Sequence, residues 1–63
     1  MNVEYKINSR SIMREGKLIS DEEALELAKA NGYDKAQFLI IRFTGNVLSV
    51  DDTTKRIKGF KRI

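Results

Sequence analysis

The chain has 63 residues, 12 basic and 9 acidic, with a net charge of +3 and no cysteine, histidine or proline. One domain of this length buries about 60% of the surface its unfolded chain exposes, so residues 1–63 are expected to form a single domain whose small core leaves self-association as a natural support. Without cysteine or histidine there is no disulfide and no thiolate or imidazole metal site, and the usual proton shuttle and best nucleophile are missing; we expect no enzyme and no cofactor.

Hydrophobic residues make up 41% and charged residues 33%, the balance of a folded globular chain. The longest apolar run, Phe38 to Ile41, is far below the roughly 18 residues of a membrane span. The start, MNVEYKINSR, has no apolar signal-peptide core. A cytoplasmic location with no membrane partner is therefore expected.

In chain order, Val3, Tyr5 and Ile7 alternate with Glu4 and Lys6, the pattern of a half-buried strand. Ile12 to Ile19 reads as a hairpin around Glu15-Gly16. That register sets Arg14 opposite Lys17, a like-charge pair, on a turn poorer than Asn-Gly. Ser20-Asp21-Glu22-Glu23 opens a helix expected from Asp21 to Asn31. Ser20 and Glu23 have capping-box spacing, three acids sit at the positive end of the dipole, and Gly32 suits the closing left-handed turn. Its packing face is Ala24, Leu25, Leu27 and Ala28, with Glu22, Glu23 and Glu26 on the wet side.

Phe38 to Phe43 and Val47 to Val50, branched and aromatic residues on either side of Gly45-Asn46, read as a second hairpin. One face of it would carry Leu39, Ile41, Phe43, Leu48 and Val50 beneath the helix. The other would leave Phe38 and Ile40 exposed, in need of a partner chain. Asp51 to Thr54 reads as a turn or cap in preference to a hard-cation site.

The expected architecture is thus α+β, about five short strands in the order β-β-β-α-β-β, with one amphipathic helix on an antiparallel sheet. This is also the element order of the OB-fold, a small barrel that often binds single-stranded nucleic acid, and the likeness is one of element order alone.

The last segment, KRIKGFKRI, carries five bases and no acid and is expected to dock as a strand or short helix. Alternation along a strand would put Arg56, Lys58, Phe60 and Arg62 on one face, mixing cations with a ring that can stack on a base. The plainer reading is that Phe60 packs inward and the lysines guard an edge strand; the direction of the Phe60 ring separates the two. The leading expectation is a small non-enzymatic module that contacts nucleic-acid phosphates through Lys55, Arg56, Lys58, Lys61 and Arg62, with Phe60 stacking. The alternative is a protein-interaction module, a small inhibitor or a regulatory or assembly subunit. It would act through Phe38 and Ile40 or through the acidic helix face of Glu22, Glu23 and Glu26, and a homo-oligomer is one form of it.

Overall fold

The computed structural model describes residues 1–63. Three strands come first: β1 (Asn2–Ile7), β2 (Ile12–Arg14) and β3 (Lys17–Leu18). Two helices follow, α1 (Asp21–Ala30) and α2 (Lys35–Thr44), and then β4 (Asn46–Asp51) and β5 (Ile57–Arg62). The strands form one antiparallel sheet in the order β3-β2-β1-β4-β5. The α+β class, five strands and strands-helix-strands order are as expected from the sequence. β3 and β5 are free edges, so the OB-like element order produces an open sheet instead of a barrel.

Pleating sends Val3, Tyr5 and Ile7 of β1, Ile12 and Arg14 of β2, and Asn46, Leu48 and Val50 of β4 to one face. Tyr5 stands opposite Leu48, and Ile7 opposite Asn46. Both helices cover that face. Ala24, Leu27 and Ala28 of α1 and Phe38 and Ile41 of α2 join Tyr5, Ile7, Ile12, Leu48 and Val50 in a single core. Ala24 and Ala28 are both buried on the inner face of α1.

The β2–β3 hairpin turns on Glu15 and Gly16, both at positive φ (50° and 80°), as a two-residue turn between right-twisted strands requires. The like-charge pair is present, with Arg14 opposite Lys17. It is relieved because the Arg14 guanidinium reaches Asp52 at 2.9 Å and lies 6.0 Å from the Tyr5 ring centroid. The Glu15 carboxylate accepts the Glu4 N–H at 2.8 Å, tying the turn to β1.

The Ser20 hydroxyl caps α1 by accepting the Glu23 N–H at 3.2 Å. At the other end Gly32, with φ 83°, closes a Schellman motif in which the Tyr33 N–H donates to the Ala28 carbonyl and the Gly32 N–H to that of Lys29.

The principal correction concerns residues 35–44, expected in part as a strand and found as α2. The full capping box is here: the Asp34 carboxylate accepts the Gln37 N–H at 2.8 Å, and the Gln37 side chain accepts the Asp34 N–H at 2.9 Å. Gly45, read as a hairpin turn residue, instead ends the helix at φ 73°. Asn46 is not a turn residue either. It is buried as the first residue of β4, and its amide donates to the Ile41 carbonyl and Thr44 Oγ1, both at 2.8 Å, satisfying acceptors in the last turn of α2. Branched and aromatic side chains favour strands locally, but that preference is small against burial of one helical face on a core.

As a result Phe38 is core, 4% exposed, and cannot be the surface contact residue expected of it. Leu39 and Phe43, expected under the helix, are exposed; Ile40 is exposed as expected, at 62%.

Candidate nucleic-acid interface

The basic tail is edge strand β5, held against β4 with Asn46 opposite Arg62, Val47 opposite Lys61, Leu48 opposite Phe60 and Ser49 opposite Gly59. A register shift follows, and the next pair is Val50 with Ile57, leaving Lys58 as the extra residue of a bulge. The simple alternation read from the sequence is therefore broken. Ile57 and Phe60 both lie on the helix-covered side, while Lys61 lies on the open side of the sheet.

Ile57 continues the core, packing against it together with Tyr33. Phe60, three residues further along the same strand, is 55% exposed. Its ring is a wall of an open groove of about 500 Å³ whose other walls are Asn31, Tyr33, Ile57, Lys58 and Gly59. Phe60 is thus neither sealed in the core nor on the open sheet face.

Asn31 holds the groove together. Its Nδ2 donates to the Leu27 carbonyl at 2.9 Å and the Lys55 carbonyl at 2.8 Å, and its Oδ1 accepts the Ile57 N–H at 2.9 Å. The C-terminus of α1 is thereby bonded to the start of β5. Neither Asn31 nor Tyr33 stood out in the sequence as a site residue. The one signal was their position around Gly32, where a Schellman turn brings the residue after glycine back over the helix.

The five cations of the tail do not share one surface. Arg56, Lys58, Lys61 and Arg62 are exposed and free of ion pairs, whereas Lys55, at positive φ (62°), pairs with Asp52 at 3.2 Å. Lys55 belongs to a second cleft of about 470 Å³ with Tyr5, Arg14, Glu23, Glu26, Leu27 and Ala30. The expected acidic face of α1 is divided by this cleft: Glu23 and Glu26 line it beside cations of their own chain, and Glu22 points to solvent.

Asp51 and Asp52 are both engaged by protein donors. Asp51 Oδ1 accepts the Thr53 N–H at 2.9 Å and the Thr54 N–H at 3.3 Å, the Asx-type turn expected there. Those bonds hold its pKa below the usual aspartate value. Asp52 is lowered too, first by the bond and charge of Lys55, then by Arg14. A carboxyl whose folded pKa is depressed contributes stability that is present above the unfolded value and is lost as pH falls through the folded one. The urea midpoint should therefore fall as pH drops below about 4, modestly because both groups are exposed. Asp52→Asn should flatten that decline, and a midpoint with the same acid dependence in this variant would contradict the assignment.

Comparison with protein-family models, with curated proteins and with solved structures gave no match.

Proposed function

We propose that the chain is a nucleic-acid-binding module whose contact surface is the β5 edge and the Tyr33–Phe60 groove. The observation that carries this reading is the half-exposed Phe60 ring. A core position would have left the cations as a solvated rim, but the ring lines an open groove with a second aromatic residue and Lys58. Bases stack on such rings regardless of sequence, and cations along the same strand follow the phosphates. A single strand fits this arrangement because its bases can turn toward the groove, whereas duplex bases are already stacked on one another.

With Lys55 occupied by Asp52, four cations remain for phosphates. Contact with four phosphates of a single strand gives a slope of log K against log salt of roughly −3. Titration of a labelled mixed-sequence oligonucleotide at about 50 and 200 mM salt measures that slope, and no binding at the lower salt would refute the reading. Phe60→Ala should weaken binding by roughly 5- to 150-fold, the loss of one stacked base. Because Phe60 is half exposed, the variant should remain folded, and unchanged affinity in it would remove the ring from the site.

A second reading, a protein-interaction module, is favoured by a separate observation. Leu39, Ile40 and Phe43 are exposed together on α2, with Phe43 at 78%.

A further inference from the structure

Helix α2 has two apolar stripes. Phe38 and Ile41 face the core, while Ala36, Leu39, Ile40 and Phe43 are exposed, and at 100° per residue the second stripe spans about 100° on the opposite side. A helix that is apolar on both sides is one that expects to be covered on both.

We infer that the exposed stripe of α2 is the contact of a homodimer in which two copies of the helix pack antiparallel about a twofold axis. The pattern is self-complementary. The positions 36, 39, 40 and 43 are symmetric about the middle of the helix. In an antiparallel pair Ala36 therefore meets Phe43 of the other copy, and Leu39 meets Ile40. A small residue faces the largest one, the complementarity that lets helices interlock, and an isologous interface needs this correspondence of a surface with itself.

Charge is consistent with the same arrangement. Lys35 stands in the first turn of α2, directly after the capping Asp34, where its own helix dipole opposes a cation. Antiparallel pairing sets it beside the last turn of the other α2, where a cation is favoured. Arg42, on the flank of the stripe, is already paired with Asp21 at 2.8 Å and brings no uncompensated charge to the contact.

The area is sufficient for a weak dimer. Leu39, Ile40 and Phe43, with Ile63 at 60% exposure and bonded to the Gly45 carbonyl at the end of the helix, offer roughly 500 Å² on one copy. Two copies would bury at most about 1,000 Å², at the lower bound for a specific interface. A second copy is preferred to a different partner because of the symmetry of the pattern, which a heterologous partner would not require.

Sedimentation velocity over about 1 to 500 μM should show a reversible monomer–dimer equilibrium with a dissociation constant of micromolar order. Ile40→Glu, which would bury one carboxylate per copy near the axis, should weaken it at least about 100-fold and leave the circular dichroism of the monomer unchanged. Orientation is read by disulfide trapping, since the chain has no cysteine of its own. A mixture of Ala36→Cys and Phe43→Cys chains should cross-link predominantly as the mixed pair. A chain that stays monomeric throughout, a dimer indifferent to Ile40→Glu, or cross-links chiefly between like chains would each overturn the inference, whatever else the stripe binds. Lys58→Glu, near the end of β5 away from Ile63, should leave the dimer intact, so failure of nucleic-acid binding is distinguishable from failure of dimerisation.

Discussion

Phe38→Ala is expected to remove about 3–5 kcal/mol, a third or more of the stability of the chain, while Ile40→Ala, two residues away, is expected to leave the monomer as stable as before. Phe38 is 4% exposed and lines the seam between helices and sheet together with Ile41, Leu27 and Leu48. Truncating a buried phenylalanine costs about 3–5 kcal/mol, in which lost transfer energy and the remaining cavity both count. A chain of this length has about 3–9 kcal/mol to lose, so the variant should keep at most about 6 kcal/mol and its urea midpoint should fall by roughly a third or more. Ile40 faces solvent, where a substitution changes stability by about 0.5 kcal/mol or less. Urea unfolding followed by circular dichroism, at a concentration low enough to keep the chain monomeric, measures both. If the segment were a strand the two side chains would share a face, and their truncations would have similar effects. Comparable losses in the two variants would therefore contradict α2.

The second expected result concerns Asn31→Ala. Three hydrogen bonds disappear together, and the Ile57 N–H and the carbonyls of Leu27 and Lys55 lose their partner. At about 1 kcal/mol for each net bond the loss is about 2–3 kcal/mol, reduced where water replaces the side chain. The effect should be local before it is global. Ile57 loses its tie to α1, so its amide should exchange with solvent faster by a factor of about 10 or more relative to amides of β1 and β4. If the proposed nucleic-acid contact holds, affinity should fall with it, because Asn31 fastens the end of α1 to the start of β5 beside Tyr33 and Phe60. Aspartate at this position keeps the acceptor for Ile57 and loses both donors, so Asn31→Asp should be intermediate. Exchange at Ile57 unaltered in the alanine variant would show that the groove does not depend on this residue.

These two residues illustrate where local reading sufficed and where it did not. The α1 helix was legible because its cap, acidic first turn, apolar face and closing glycine all agree, each within one or two turns of the chain. The β2–β3 turn was legible at Glu15-Gly16, and its apparent flaw, Arg14 opposite Lys17, was resolved by an aspartate 38 residues away. Residues 35–44 misled because the strand preference of Phe38 to Phe43 and the hairpin-like Gly45-Asn46 agreed with each other. The contrary signal was there in Asp34 and Gln37, three apart and ahead of an apolar run, which is a capping box.

For the site, Phe60 and the cations could be named from composition alone, but not their directions. A bulge at Lys58 shifts the phase of the strand, and a bulge depends on how two distant segments align, not on the residues of one of them. Asn31 carries no local mark of its role, since its partners at Lys55 and Ile57 are more than 20 residues away in sequence.

The sequence by itself determined the helical cap at Ser20, the strand character of β1 and β4, the glycine turns and the concentration of positive charge in the last nine residues. All are set by short-range sterics, hydrogen bonds within a turn, and composition. Only the tertiary structure decided that residues 35–44 coil, that Phe38 is buried while Ile40 and Phe43 face outward, and that Phe60 borders a groove with Tyr33. Those outcomes follow from burying one face of a segment against a sheet assembled from both ends of the chain, a gain that outweighs the local preference of the segment itself.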